Sequence, residues 1–393
     1  MKGVNHHSMN ENNKYLILRT ISMLSPCSRT QLCEYTKLSK MTITNIVNEY
    51  IRQGIVQEYG KLEASAGRRA GLLRIAPDSL LALGIRINRN YTEIGVINLS
   101  GSILRSGRFE IYPDDTVDDF LDTLIYICSY FMEEWKGRIW GIGISAMGPL
   151  EIEKGIIFDP PGINLKNIPV CDALYRAFNL PAFLELDSHV AALSELYHGN
   201  FRRYENFLYI MIDNWIGGCL ILDRKVCQGV TGLAGLIGGI VIDRDSVDPA
   251  VPLSGCLQEY ASILALTKWA REKGPDPAIS WNRIVIRARR GEPFFCQLID
   301  RLIRFLETVL VSAIALLDVP CIYLTGPVLL GADLILEKLE ASLNRLIFAP
   351  STRRVEVLAA RYSENAAFIG ITALVTERHF ERKTNFERST FSA

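Results

Sequence analysis

Residues 28–54 read SRTQLCEYTKLSKMTITNIVNEYIRQG, and two helices with a tight turn between them can be read directly from that stretch. Ser28, with Gln31 three residues on, has the form of a capping box, in which each side chain bonds the other's backbone N–H. The helix it opens runs to about Thr36. Lys37-Leu38-Ser39 leaves room only for a turn, and Ser39 supplies an N-cap for a helix from Lys40 to about Gln53. Along that helix Ile43, Ile46, Val47, Tyr50 and Ile51 fall at i, i+3, i+4, i+7 and i+8, which is one buried stripe. The opposite face carries Met41, Thr44, Asn45 and Asn48, with Lys40 at its N-terminal edge, and Gly54 ends the helix.

Upstream, Lys14–Leu24 reads as another helix with Leu16, Ile17, Ile21 and Leu24 on one side, stopped by Ser25-Pro26. Downstream, two short strands at 55–59 and 72–75 flank a glycine-bounded segment with Gly67-Arg68-Arg69 at its tip. Helix, helix-turn-helix, then a hairpin with a basic tip is a winged helix-turn-helix. A plain three-helix packing module would also explain the apolar stripe. It would not call for the short second helix, the tight turn and the Arg-Arg tip together, so the combination points to DNA. Asn can bond adenine bidentately, and Thr or Met methyl groups can meet the thymine methyl. The expected DNA contacts are Lys40, Met41, Thr44, Asn45 and Asn48 in the major groove, with Arg68 and Arg69 on an adjacent groove or the backbone.

The charge distribution agrees. The 393 residues carry 43 Lys+Arg against 43 Asp+Glu, yet residues 1–80 hold 11 basic and 6 acidic side chains. A basic head on an acidic body suggests that only the head meets a polyanion. Apolar residues at 49% and charged residues at 22% exclude wholesale disorder. The longest strongly apolar run, 308–317, is about half the ~20 residues a membrane span needs. The polar start, 1–14, lacks the apolar core of a signal peptide. The nine cysteines form no CxxC pair and read as reduced thiols. A cytoplasmic protein with no membrane partner is expected.

Beyond residue 80 the pattern is α/β and repeats. Strands at 81–87, 91–98 and 103–111 precede a helix at 116–135 and strands at 139–145 and 182–186. Strands at 206–213, 217–223 and 225–228 then precede helices at 255–273 and 293–317, a strand at 321–325, a helix at 332–346, a strand at 355–359 and a helix at 366–376. Two such halves imply a duplicated architecture with a cleft between lobes. The polar residues from Glu377 onward read as a loose end.

Several segments resemble the ROK family (repressor, open reading frame, kinase), in the branch with an N-terminal winged helix that includes xylose and N-acetylglucosamine repressors. They are Leu38-Ser39-Lys40-Met41-Thr42-Ile43-Thr44-Asn45-Ile46-Val47, Ala66-Gly67-Arg68-Arg69, Gly141-Ile142-Gly143-Ile144, Leu180-Pro181-Ala182-Phe183-Leu184-Glu185, Gly229-Val230-Thr231-Gly232-Leu233-Ala234-Gly235 and Gly255-Cys256-Leu257-Gln258-Glu259-Tyr260-Ala261-Ser262. The resemblance spans about 14–378. It implies an actin-like, ribonuclease-H-like pair of lobes behind the winged helix. The division is then 1–77 for the head, 78–200 for the first lobe, completed by a helix at about 365–378, and 201–364 for the second.

Where the family's chemistry should lie, the sequence departs from it. The family kinases cradle ATP phosphates on glycine-rich turns. The matching segments here are Arg86-Ile87-Asn88-Arg89-Asn90 and Asn214-Trp215-Ile216-Gly217-Gly218-Cys219, so ATP binding in that manner is not expected. The family zinc site uses one His and three Cys. Here its positions fall at Gly239, near Pro249 and Val251, and at Cys256, so no metal is expected and Cys256 reads as a packed thiol. The family's sugar-gripping positions match Gly162, Leu186, Leu236, Gly239 and Gln258, beside Asp187, the position of the family's general base. Asp187 either binds a ligand hydroxyl or caps the helix that follows. His189 reads as a helix-surface or core residue, and Trp215 as packing.

The effector residues that remain are Asp187, Glu185 and Gln258. The head thus reads as the DNA-binding part of a transcriptional regulator, and the resemblance implies a repressor of carbohydrate-related genes with a non-catalytic sugar-kinase-like body. It is expected to have no cofactor, to bind a double-stranded operator as a homodimer or homotetramer, and to take a sugar-like effector if any. An ATP-dependent sugar kinase and a ligand-independent DNA-binding scaffold are the alternatives.

Overall fold

The computed structural model describes the chain apart from residues 1–5, 62–70, 161, 200–203, 252 and 390–393, and apart from the side chains at 6–9, 11–12, 61 and 379–389. The expected wing-tip contacts Arg68 and Arg69 lie outside the described residues. The chain divides into two units, Met1–His198 with Ala367–Ala393, and Gly199–Ala366.

The first unit opens with α1 (His6–Leu24), β1 (Cys27–Ser28), α2 (Arg29–Thr36), α3 (Lys40–Arg52), β2 (Val56–Lys61) and β3 (Gly71–Ile75). Ser28 and Gln31 form the full capping box, and Lys37 in the left-handed region closes α2. The Ser39 side chain accepts from the Thr42 amide and starts α3. Ile43, Ile46, Val47 and Tyr50 are buried with Ile17, Leu18 and Ile21 of α1, and the Tyr50 hydroxyl donates to the Lys14 carbonyl at 2.8 Å. The strands form a three-stranded sheet in the order β1-β3-β2. The two-residue β1 has no periodicity to betray it in the sequence. The head's core runs on into the rest of the unit, taking in Leu99 and, at its margin, Leu80 and Trp140.

The lobe of this unit follows with β4 (Leu81–Ile87), β5 (Tyr91–Asn98), β6 (Ile103–Glu110), α4 (Val117–Glu134), β7 (Ile139–Ala146), β8 (Leu150–Glu151), β9 (Ile156–Ile157), α5 (Val170–Phe178), β10 (Ala182–Leu186) and α6 (Asp187–His198). Its main sheet has the order β10-β7-β4-β5-β6, with β4, β7 and β10 parallel and β5 and β6 antiparallel. The central β4 is buried along nearly its whole length, as a strand covered on both faces should be.

The second unit runs β11 (Phe207–Ile212), β12 (Ile216–Leu222), β13 (Lys225–Val226), α7 (Leu257–Ala261), α8 (Ile263–Lys273), α9 (Trp281–Arg289), α10 (Pro293–Leu317), β14 (Cys321–Thr325), α11 (Ala332–Leu346) and β15 (Glu356–Ala359). Its sheet order is β13-β12-β11-β14-β15, which repeats that of the first lobe strand for strand. The single helix expected over 255–273 is two. Ser262, extended at φ −69° and ψ 154°, breaks it and caps α8 through the Ala265 amide. The short elements β8, β9, α5 and α9 do not stand out in the sequence.

The last helix, α12 (Ala366–Ser389), returns to the first unit. It packs so closely on α6 that a Cβ at Gly370 would lie 1.8 Å from the Val190 carbonyl oxygen. The loose end expected from Glu377 is a correction. The helix runs on, and Glu377 accepts a 2.6 Å hydrogen bond from the buried Tyr197 hydroxyl.

Candidate nucleic-acid interface and effector site

Because its apolar stripe is consumed by α1, α3 turns the other stripe outward. Lys40, Met41, Thr44, Asn45 and Asn48 are all exposed, Met41 at 75%. The Thr44 hydroxyl donates back to the Lys40 carbonyl at 2.7 Å, which leaves its methyl and an acceptor lone pair facing out. Four neighbours escaped the sequence reading. Arg29, the first residue of α2, donates to the Glu58 carboxylate on β2 at 3.2 Å and to the Asn48 amide oxygen at 3.3 Å. Arg74 on β3 stacks over the Tyr59 ring, 4.2 Å from its centroid. One signal for Arg29 was present: a cation on the first turn of a helix, where the dipole favours anions, calls for an acidic partner.

The effector candidates divide between the units. Glu185 and Asp187 lie at the β10–α6 junction, and Gln258 is on α7 of the second unit. Strand alternation does not bring Glu185 and Asp187 to one face, because β10 stops at Leu186 and α6 starts at Asp187. Glu185 is 2% exposed. Its Oε1 meets His189 Nδ1 at 3.0 Å and accepts from the Leu186 amide, and its Oε2 accepts from Arg378 at 3.2 Å. Burial by itself pushes the carboxyl's pKa up, but His189 and Arg378 outweigh it and hold the group below the usual range. Asp187 is half-buried, and its Oδ1 accepts from the Ser188 amide at 2.7 Å. His189, fully buried, is a core residue. Leu186 is buried as well and offers a ligand no surface, whereas Leu236 is 55% exposed.

The two turns that match the family's phosphate loops are filled by the chain itself. At the β4–β5 turn, the Arg89 side chain lies across Gly162, where a Cβ would be 2.2 Å from Arg89 Nε. In the second unit, a Cβ at Gly218 would be 2.8 Å from the Gly235 carbonyl oxygen, so this glycine is explained by the loop packed against it. The bulky Trp215 stands in the β11–β12 turn. These residues do not fit a nucleotide phosphate. Zinc fares no better: Gly239 has no side-chain ligand, Val251 is apolar, and the buried Cys256 thiol donates to the Gly239 carbonyl at 3.1 Å. Burial, then the nearby Glu259, pushes that thiol's pKa up, away from the thiolate a metal requires. Among the described residues, no three His, Cys, Asp or Glu side chains are grouped so as to hold a metal ion.

A groove of about 430 Å³ opens elsewhere on the first unit, lined by Lys154, Asp172, Tyr175 and Arg378 among others, and includes none of the expected effector residues. Among the described residues no helix is long and apolar enough to cross a membrane.

Comparison with known proteins places this geometry in context. A xylose repressor of Caldicellulosiruptor bescii is 26% identical over 395 residues, spanning 94% of this chain and 97% of its own. An N-acetylglucosamine repressor of Escherichia coli O157:H7 is 23% identical over 374 residues, 92% of each chain. Among solved structures, a ROK family transcriptional regulator described as a homologue of the E. coli MLC protein matches with a TM-score of 0.80 at 24% identity, covering 96% of this chain and 98% of its own. A ROK family glucokinase from Streptomyces griseus, solved with glucose and AMPPNP, matches with a TM-score of 0.63 at 24% identity over 75% of this chain and 98% of its own. The two structural likenesses speak for the fold alone. The sequence pattern of the ROK family matches residues 82–378, all of the body that carries the duplicated sheets, and the chain belongs to that family.

Proposed function

We propose that this protein is a DNA-binding transcriptional regulator, a repressor of carbohydrate-related genes, and that its body is non-catalytic. The observation that carries the reading is α3: its apolar stripe is buried and its ends are fixed, while Lys40, Met41, Thr44, Asn45 and Asn48 all face outward. The protein acts in the cytoplasm on double-stranded operator DNA, as a homodimer or homotetramer. Residues 1–77 are the DNA-binding module, 78–200 with 365–378 the first lobe and 201–364 the second. Arg68 and Arg69 reach an adjacent groove or the DNA backbone. The test is genome-wide mapping of the DNA the protein occupies. Discrete sites beside carbohydrate genes that vanish in the Asn45→Ala, Asn48→Ala double variant support the reading, and unchanged occupancy overturns it.

A kinase reading competes because the fold is shared with sugar kinases. Arg89 and Trp215 in the phosphate turns speak against it, and ATP turnover with any of a panel of hexoses would overturn the non-catalytic assignment. The effector positions favour a ligand with fewer hydroxyls than a monosaccharide, or a larger one. Each sugar hydroxyl buried without a partner costs roughly 1–3 kcal/mol. Of the polar candidates, Glu185 is buried and engaged by His189 and Arg378. Glucose, xylose and N-acetylglucosamine are expected to bind the full chain no tighter than millimolar by calorimetry. A micromolar Kd that disappears in Asp187→Ala would restore a simple sugar sensor.

A further inference from the structure

Arg29 touches both other parts of the winged helix that flank it. One guanidinium nitrogen donates to Glu58 on β2 and another to the Asn48 amide oxygen on the outward face of α3. A guanidinium has donors and no acceptor, so the oxygen of the Asn48 amide, never its NH2, must be the end turned toward it. The end left for an incoming base is therefore the donor end. Glu58, 58% exposed at its side chain, sets the other anchor, and Arg29, only 30% exposed, is held between the two.

This matters for what Asn48 can read. A bidentate contact to adenine requires the amide to accept from N6–H with its oxygen while donating to N7. With one lone pair of the oxygen engaged by Arg29, the end of the amide that Asn48 turns away from it is the NH2 group. Guanine, with N7 and O6, and thymine, with O4, present only acceptors to such a donor, whereas adenine sets its N6–H2 donor beside its one acceptor, N7. The adenine contact open to asparagine in general is thus disfavoured at this position.

We propose that Arg29 is a specificity-determining residue: by holding the Asn48 oxygen it makes that side chain a donor, which selects guanine or thymine and selects against adenine at the base it faces. The proposal rests on α3 being the recognition helix. The two can be separated by selecting binders from a random-sequence DNA duplex library with the full-length protein and sequencing them. Asn48→Ala should flatten preference at one position of each half-site, and the wild type should choose guanine or thymine there. Arg29→Ala and Arg29→Met, the second of which keeps the aliphatic bulk of the side chain, should each shift that same position toward adenine by about tenfold. A phosphate contact made by Arg29 would weaken binding evenly across sequences and leave the base ratio alone. A wild-type preference for adenine at the Asn48 position overturns the proposal. So does an unchanged base ratio in both Arg29 variants while Asn48→Ala still flattens the position. If neither Asn45→Ala nor Asn48→Ala alters any position, the reading of α3 itself fails, and the proposal falls with it.

Discussion

Asn45 and Asn48 on α3 and Glu185 and His189 at the β10–α6 junction are similar raw material, two pairs of polar side chains spaced for one helix turn, put to opposite uses. The first pair stands exposed on a helix whose packing is complete without it. The second pair is turned inward, each bonded to the other, and Glu185 also to Arg378. A polar residue in a family's ligand-binding stretch is therefore no guide to binding until its existing partners are counted. On that count the head keeps Asn45 and the donor end of Asn48 turned outward, and this corner of the body has spent its own on structure.

The largest effect should come from breaking the inward pair. Glu185→Ala leaves His189 and Arg378 without their shared carboxylate in a site almost closed to water, and should cost about 3–5 kcal/mol of stability. A loss under 1 kcal/mol in urea unfolding would mean the carboxylate is held for a ligand after all. The same pair has a pH signature. Because the folded carboxyl is held below its unfolded value of 4.5, its contribution is complete above that value. It is lost as pH falls through the depressed one. Glu185→Gln should flatten stability against pH in that acidic window, and an unaltered acid limb would count against the pairing.

Next in size is the buried triad that ties head to lobe. Tyr197 accepts from Arg19 Nε at 3.0 Å and donates to Glu377, and Arg19 also pairs with Glu377 at 3.2 Å. Tyr197→Phe removes two hydrogen bonds to charged groups and should cost about 1.5–3 kcal/mol. An unchanged melting temperature would show the triad to be energetically idle.

The outward pair is tested by specificity. Asn45→Ala should lower discrimination between operator and random DNA by about 1–3 kcal/mol, with folding stability unchanged. If stability drops as far as specificity, the contrast with Glu185 collapses. Smallest is the wing: Arg68→Ala with Arg69→Ala should make the slope of log K against log salt shallower by about 0.9 for each phosphate these arginines neutralise. An identical slope would remove both residues from the interface.

Local periodicity explains which parts could be read in advance. The boundaries of α10 and α11, the two sheets and the capped α2 and α3 all follow from patterns a few residues long, and so does the exposed face of α3. The break at Ser262 did not show, because a serine tolerated in a helix and a serine that caps one look alike in sequence. The fate of Glu185 was hidden for a different reason. Arg378 lies 193 residues away, and no local pattern announces such a partner. Asn48 falls between the two cases: its exposure was legible, but the partner that orients its amide sits 19 residues away on another helix.

The triad of Arg19, Tyr197 and Glu377 also has a consequence in time. The head is synthesised first, yet the carboxylate that holds its first helix belongs to the last one. At roughly 5–20 residues per second, the ribosome needs about 15–60 s to pass from the end of the head to Glu377. Through that interval the winged helix can fold with its DNA-facing surface finished while Arg19 has no Glu377 to meet. A message with a stop codon between the two would release a head never moored to its body. Only a chain that has been read nearly to its end can fix the angle at which its first module is carried.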